Sequence, residues 1–144
     1  MKIIITGGAG FVGSSLCISL KSKYPEYTII AFDNLKRRGS ELNLIDLKNK
    51  QIDFIHGDIR NAEDIQSIGE FNVLIDASAE PSVLGGINSN PTGIINNNLY
   101  GTINCINECV KYNATLIFLS TSRVYPIQTI ENANYTEEET RFSF

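Results

Sequence analysis

The sequence predicts an α/β protein built on one doubly wound parallel sheet, with the strands in the spatial order 3-2-1-4-5. The first observation is that short β-branched runs alternate with longer helical patterns along the 144 residues, as in successive βαβ units. The second is a glycine cluster that directly follows the first apolar run and opens a helical pattern. Right-handed crossovers then give this strand order in its simplest form.

The predicted strands are short β-branched or apolar runs that stop at polar or small residues, and they cover residues 3–5, 28–32, 52–55, 73–75 and 115–119. The first is an unbroken isoleucine run, which suits a central strand covered on both faces. The second closes on Asp33 and the fourth on Asp76. The third alternates apolar and polar residues, as a half-buried strand does.

The predicted helices carry apolar residues three or four positions apart, and the shorter ones cover residues 12–20, 42–47 and 62–68. The longest should begin at Asn90-Pro91, because Asn is a favoured N-cap residue and Pro suits the first helical position. Its apolar residues run down one face, with Thr102 among them, at Ile95, Leu99, Ile103, Ile106 and Val110. Past Tyr125 the periodicity disappears, so we expect residues 130–140 to form a polar, acidic surface loop.

Composition excludes several classes of protein. A net charge of −4 argues against nucleic-acid binding, which usually needs a basic face. No apolar run approaches the ~18–20 residues of a membrane span, and the N-terminal run is too short for a signal peptide. The three cysteines are an odd number, so we expect reduced, buried thiols and a cytoplasmic protein. Two of them with a remote His56 make a poor metal site, and none is predicted.

The strongest motif is the glycine loop over residues 6–13, which reads TGGAGFVG. Gly8, Gly10 and Gly13 satisfy G-x-G-x-x-G, and Gly7, Gly10 and Gly13 satisfy G-x-x-G-x-x-G equally well. Such a loop gives a tight turn, a bare backbone that a pyrophosphate can approach, and a helix N-terminus that attracts the anion. A strand before it and a helix after it make it the dinucleotide motif of a Rossmann fold.

Asp33 supplies the second part of this motif, twenty residues after Gly13. A carboxylate at the end of the second strand accepts hydrogen bonds from an adenosine ribose and repels a 2′-phosphate, which favours NAD over NADP. Lys36, Arg37 and Arg38 follow and could hold a phosphate, but we favour a solvated loop for them.

Other strand ends should converge on the same crevice. After the third strand, Asp58 could meet the adenine amino group while Ile59 packs on the ring. After the fourth strand, the small residues Ala77, Ser78 and Ala79 leave room for a cofactor. Glu80 comes next, either as a substrate contact or as a surface carboxylate.

Four motifs in this order resemble the extended short-chain dehydrogenase/reductases, the family of NAD-dependent nucleotide-sugar epimerases and dehydratases. They are TGGAGFVG at 6–13, FDNL at 32–35, HGDIR at 56–60 and STSRVY at 120–125. The resemblance extends from Met1 to about Arg141, and it is strongest to the CDP-paratose 2-epimerase (CDP-tyvelose epimerase) branch. Sugar dehydratases carry Asp-Glu after the catalytic Thr, whereas Ser122 and Arg123 stand here.

The resemblance implies a mechanism in which NAD takes a hydride from a sugar carbon and returns it to the other face. It implies a nucleotide-sugar substrate, with a CDP-sugar favoured, and a homo-oligomeric parent enzyme. Catalysis would involve Thr121, and substrate contacts would come from Glu80, Ser122 and Arg123. The NAD contacts that it implies are Gly7, Gly10, Phe11, Val12, Gly13, Asp33, Asn34, Asp58, Ile59, Ala77, Ser78, Ala79 and Asn98. Asp76 stands where the family often has His, and its role is not assigned.

The family's base, the tyrosine of Tyr-x-x-x-Lys, has no counterpart, because none of the six tyrosines is followed by a lysine four positions later. We therefore expect residues 1–144 to form an incomplete NAD-binding domain that stops before a sixth strand and lacks the C-terminal substrate domain. The alternatives left open are a stand-alone dinucleotide-binding or redox-sensing module and another nucleotide-sugar epimerase or dehydratase.

Overall fold

A computed structural model describes residues 1–80, 90–121 and 126–143. Five parallel strands form the central sheet in the order β3-β2-β1-β4-β5, which confirms the predicted topology. The strands are β1 (Lys2–Thr6), β2 (Thr28–Asp33), β3 (Asp53–His56), β4 (Val73–Asp76) and β5 (Thr115–Phe118). Their carboxyl ends meet at one edge, where Thr6 pairs in register with both Phe32 and Asp76.

Helices cover both faces of this sheet. They are α1 (Phe11–Lys23), α2 (Asn43–Asn49), α3 (Ala62–Gln66), α4 (Thr92–Ile95) and α5 (Gly101–Tyr112), with a 3₁₀ turn at Ser40–Leu42. Cys17 of α1 and Leu47 of α2 are buried with Ile3 and Ile5 on one face. Ile65 of α3 and Cys105 of α5 are buried with Ile4 on the other. The isoleucine run is therefore covered on both sides, as its unbroken apolar character predicts.

The longest predicted helix is present as one continuous helical run that changes type partway along. Pro91 precedes α4, and a single π-helical stretch, Asn96–Tyr100, joins α4 to α5. The helix thus begins at Thr92, one residue later than predicted, although Asn90 Oδ1 does accept the Thr92 N–H at 2.9 Å as a cap would.

The apolar stripe of this helix faces outward in the described structure. Leu99 is 53% exposed and Val110 is 75% exposed, whereas Gly101, Cys105 and Cys109 are buried. Cys105 and Cys109 pack in the core with Ile4 and Leu74 of the sheet. Gly101 packs closely on Ile59, in the segment after β3, because a Cβ at position 101 would lie 2.3 Å from Ile59 Cδ1. The sequence contains two parallel stripes on this helix, and the smaller residues form the buried one.

The prediction of a surface loop over residues 130–140 is correct in part: these residues lie at the surface, and 132–135 and 138–140 are irregular, but a helix and a strand also occur here. Helix α6 (Ile127–Glu131) is followed by an antiparallel pair, β6 (Thr136–Glu137) and β7 (Phe142–Ser143). The Glu138 carboxylate accepts hydrogen bonds from Arg141 Nε at 2.9 Å and from the Ser143 hydroxyl. Tyr135 and Phe142 also stack edge to face. These side-chain contacts stabilise a short hairpin whose strands are only two residues long, too short to show an alternating pattern in the sequence.

Two further sequence predictions concern the cysteines and the membrane. Cys17, Cys105 and Cys109 are all buried and carry free thiols, as expected. Across residues 1–80, 90–121 and 126–143, no helix combines the length and the apolar character that crossing a membrane requires.

Candidate functional site

The glycine loop between β1 and α1 forms a tight turn whose backbone is exposed to an open groove. Gly7 adopts a left-handed conformation with φ +63°, and its carbonyl accepts the Gly10 N–H at 2.9 Å. Gly10 then serves as the N-cap of the thirteen-residue α1, which has no side-chain cap and no acidic residue in its first turn. The first N–H groups of α1 therefore remain available to an anion.

The loop cannot accommodate larger residues at its closest contacts. A Cβ on Gly13 would lie 2.0 Å from the Gly7 carbonyl oxygen, and one on Gly8 would lie 2.7 Å from Ala31 Cα. A Cβ on Gly7 would lie 2.8 Å from the Ala77 carbonyl oxygen, across the edge of β4. These glycines are required by the packing of loop, helix and sheet as well as by the space left for a ligand.

Asp33 connects the glycine loop to the end of β2. Its Oδ2 accepts the Ala9 N–H at 3.1 Å, and its Oδ1 accepts the Leu35 N–H at 2.8 Å. Each carboxylate oxygen has further acceptor capacity, because an ionised carboxylate offers about four lone-pair sites. The carboxylate is thus fixed in orientation and can still accept from two neighbouring hydroxyls.

Asp58 lies after β3 in a network of polar side chains. It accepts hydrogen bonds from Asn34 Nδ2 at 2.9 Å and from Arg60 Nε at 2.9 Å. The hydrogen-bonded Arg60 guanidinium holds the pKa of the Asp58 carboxyl well below its usual range. The neighbouring Ile59 is buried against Gly101 and presents an apolar surface at the groove.

Asp76 lies at the end of β4 and is 1% exposed. Its Oδ1 accepts the Thr6 hydroxyl at 2.7 Å and both the main-chain N–H and the hydroxyl of Ser78, while its Oδ2 accepts the Thr102 hydroxyl at 2.9 Å. One carboxylate therefore joins β1, the segment after β4 and α5. Asp76, whose role could not be assigned from the sequence, therefore has a structural role in joining these three segments.

Asn98, on the π-helical stretch, also holds the segment after β4. Its Oδ1 accepts the Glu80 main-chain N–H at 2.8 Å and the Asn97 Nδ2 at 3.1 Å. Ala77, Ser78 and Ala79 form a wall of small side chains that lines the groove next to Gly7.

These segments surround a groove of about 920 Å³, within the ~300–1,000 Å³ range of ligand pockets. Twelve predicted site residues line it: Gly7, Gly10, Phe11, Val12, Gly13, Asp33, Asn34, Ile59, Ala77, Ser78, Ala79 and Glu80. Asp58 and Asn98 do not line the groove but hydrogen-bond to residues that do, Asn34 and Glu80. Thr121 is exposed beyond the end of β5 and is not among the lining residues. Ser122 and Arg123 lie outside the described residues.

Six further residues line the groove. Phe32, Ser40, Gly57 and Asn97 were not among the predicted site residues, and Lys36 and Arg37 were weighed as phosphate ligands but assigned to a solvated loop. Lys36 and Arg37 are solvent-exposed, as a solvated loop predicts, yet they also line the groove beside Asp33. Their position three and four residues after Asp33, at the end of β2, was the signal available for them. The arrangement fits an elongated ligand with an anionic centre, because bare glycines and a helix N-terminus lie between a carboxylate end and a wall of small residues.

The amino-acid sequence is similar to those of a known protein family. The sequence model described as "NAD dependent epimerase/dehydratase family" matches residues 3–143. The CDP-paratose 2-epimerase of Salmonella typhi is 33% identical, over 99% of this chain and 43% of the relative. The bifunctional UDP-glucose and UDP-xylose 4-epimerase 3 of Arabidopsis thaliana is 36% identical, over 86% of this chain and 37% of the relative. The chain thus spans less than half the length of these relatives.

Solved structures share the fold. The UDP-glucuronic acid 4-epimerase of Bacillus cereus, in a complex containing NAD, superposes with a TM-score of 0.79 at 27% identity, covering 96% of this chain and 45% of that one. The dTDP-glucose 4,6-dehydratase of Bacillus anthracis, in complex with NAD, superposes with a TM-score of 0.76 at 27% identity. That match covers 99% of this chain and 44% of the other.

Proposed function

Because the chain belongs to the NAD dependent epimerase/dehydratase family, we propose that it is the NAD-binding portion of a nucleotide-sugar epimerase. One observation carries the proposal most directly. Asp33 Oδ2 lies 3.1 Å from the Ala9 main-chain nitrogen, so the ribose-binding carboxylate is fixed against the loop that would hold the pyrophosphate. A dinucleotide needs these two features side by side.

The proposed contacts follow one another along the length of such a ligand, with most of them made by residues that line the groove. Gly7, Gly10 and Gly13 leave space for the pyrophosphate, with Phe11 and Val12 at the head of α1 beside it. Asp33 and Asn34 would bind the adenosine ribose, and Asp58 and Ile59 the adenine. Ala77, Ser78 and Ala79 would line the cofactor, with Asn98 supporting that segment through the Glu80 N–H.

When bound, NAD supplies a hydride acceptor and donor for a carbon of the sugar. In the proposed reaction Thr121 hydrogen-bonds the reacting sugar oxygen, and Glu80, Ser122 and Arg123 contact the substrate. The substrate favoured is a CDP-sugar epimerised at C2. The first support is the 33% identity to the Salmonella typhi enzyme over 99% of the chain. The second is the pair Ser122-Arg123 after Thr121, at the positions where sugar dehydratases carry Asp-Glu.

A second function is favoured by one specific observation. None of the six tyrosines has a lysine four positions later, so the family's general base is not visible in residues 1–144. A stand-alone module that binds a dinucleotide without catalysis would need no such base. Relatives named as UDP-glucose 4-epimerases and dTDP-glucose dehydratases at 28–36% identity keep other nucleotide sugars as a further alternative.

Two measurements separate these functions. In the DNA that follows codon 144, an in-frame Tyr-x-x-x-Lys supports the enzyme, and an immediate stop codon supports the module. The whole reading frame, expressed and loaded with NAD, should then interconvert CDP-paratose and CDP-tyvelose. Turnover of UDP-glucose or dTDP-glucose alone would reassign the nucleotide, and NAD binding without turnover of any of the three would favour the module.

A further inference from the structure

The residue before Gly10 is held at both of its main-chain groups. Ala9 is fully buried, and its N–H donates to Asp33 Oδ2 at 3.1 Å. Its carbonyl accepts a hydrogen bond from Asn43 Nδ2 at 2.7 Å. The bond to Asp33 belongs to the expected dinucleotide motif, whereas the bond from Asn43 does not.

Asn43 is the first residue of α2 and lies outside the groove itself. Its helix is fixed by Leu47, which is 1% exposed and packs in the core with Cys17 of α1. Asn43 therefore donates from a helix that is anchored in the core.

The segment that leads to Asn43 lines the adenosine end of the groove. Lys36, Arg37 and Ser40 are lining residues, and the Ser40 hydroxyl donates to the Arg37 carbonyl at 2.7 Å. Asn43 ends this segment, so its amide is the point at which the segment is joined to the glycine loop.

We propose that Asn43 is a positioning residue for the dinucleotide site: its amide fixes the Ala9 carbonyl and so keeps the glycine loop in the conformation that receives the pyrophosphate. The inference rests on the proposed function, because it assigns Asn43 a part in binding NAD. The Ala9 carbonyl cannot turn toward the groove while Asn43 holds it, and the Gly10 N–H stays bonded to Gly7.

The test compares Asn43→Asp and Asn43→Ala with Asn49→Asp and Asn49→Ala. Asn49 ends the same helix and is exposed, so each pair has the same change of charge and size. Both Asn43 variants should weaken NAD binding about 5- to 10-fold in isothermal titration calorimetry, the effect of losing one well-formed hydrogen bond. Both Asn49 variants should bind NAD as the unaltered chain does.

A second readout does not depend on the ligand. In the NAD-free chain, hydrogen exchange at the Ala9 and Gly10 amides should quicken about 5- to 10-fold in the Asn43 variants, with the amides of β4 and β5 unchanged. Equal NAD affinity and equal exchange in the Asn43 and Asn49 variants would overturn the inference. Uniformly faster exchange throughout the sheet would also overturn it, because that is the result of a general loss of stability. If the unaltered chain does not bind NAD, the proposed function fails, and the exchange measurement still decides whether Asn43 orders the loop.

Discussion

The Cα of Gly13 lies so close to the carbonyl of Gly7 that a Cβ at position 13 would lie 2.0 Å from the carbonyl oxygen. The obstacle is backbone rather than a movable side chain, so the turn and the first turn of α1 would have to separate. Glycine is therefore required at position 13 by the contact between the two ends of the turn, as well as by the space that a ligand would need.

Gly13→Ala should therefore damage both folding and binding. We expect a loss of unfolding free energy of about 1–3 kcal/mol, as in other overpacked sites, and at least a tenfold loss of NAD affinity. Thermal denaturation and calorimetric titration measure the two effects. Gly93→Ala is the matched control, because a Cβ there meets nothing within 4 Å. A Gly13→Ala chain that melts and binds like Gly93→Ala would contradict the packing argument.

Asp76→Ala should destabilise the chain strongly. The change leaves the fully buried Thr6 hydroxyl without its Asp76 acceptor, and an unsatisfied buried group costs about 1–3 kcal/mol. The Thr102 hydroxyl also loses Asp76 but can still donate to the Asn98 carbonyl at 3.3 Å. Asp76→Asn, which keeps the shape and one acceptor oxygen, should lose less. Urea denaturation measures the free energies, with Asp53→Ala at the exposed start of β3 as a control expected to change by less than about 0.5 kcal/mol. Equal free energies for the Asp76→Ala and Asp53→Ala chains would exclude a structural role for this carboxylate.

The parts of the fold and of the site that depend on local sequence patterns could be predicted from the sequence. The glycine loop, the Asp33 position and the strand order all follow from short motifs and from the handedness of βαβ units. The contact from Asn43 to Ala9 spans 34 residues and depends on how α2 packs, so no local pattern indicates it. The apolar stripe of α5 was visible, but the parallel stripe of Gly101, Cys105 and Cys109 forms the buried face. The β6–β7 hairpin was missed because two-residue strands held by Glu138 carry no periodicity.

Arg60→Met should raise the pKa of the Asp58 carboxyl toward its ordinary value. The Arg60 hydrogen bond is the main cause of the low pKa, and a depressed folded-state pKa stabilises the fold above the unfolded pKa of about 3.9. That contribution is present at neutral pH and is lost as the pH falls through the folded-state pKa, so the stability difference between the two chains should shrink in acid. Carboxyl ¹³C NMR measures the titration, with Arg38→Met as the control. The same Asp58 titration in all three chains would refute the assignment to Arg60.

The three thiols should be unreactive in the folded chain at pH 8. Burial raises the pKa of the Cys17 thiol to about 12, and it also raises the pKa of Cys105 and Cys109. A thiol reagent such as DTNB should therefore label none of them before denaturation and all three afterwards. The Lys48→Cys chain, which carries an exposed thiol on α2, should take up one label while folded. Rapid labelling of an original cysteine in the folded state would contradict this burial.

The 144-residue polypeptide should not epimerise a nucleotide sugar. No tyrosine in it is followed by lysine at the fourth position, and a general base contributes typically ~10²–10⁴-fold to such a reaction. Incubation of the NAD-loaded chain with CDP-paratose, followed by chromatography of the products, checks this. Formation of CDP-tyvelose above the level of a heat-denatured sample would show that another residue supplies the base.

The most direct test of the central claim is calorimetric titration of the purified chain with NAD and with NADP, repeated on Asp33→Ala. The account predicts saturable binding of one NAD per chain and at least tenfold weaker binding of NADP, because the Asp33 carboxylate repels a 2′-phosphate. Asp33→Ala should weaken NAD binding about tenfold. It should also reduce the preference for NAD over NADP, because the carboxylate that repels the 2′-phosphate is gone while the cationic Lys36 and Arg37 remain at the groove. No binding of NAD by the unaltered chain, or equal affinity of Asp33→Ala for NAD, would contradict the account.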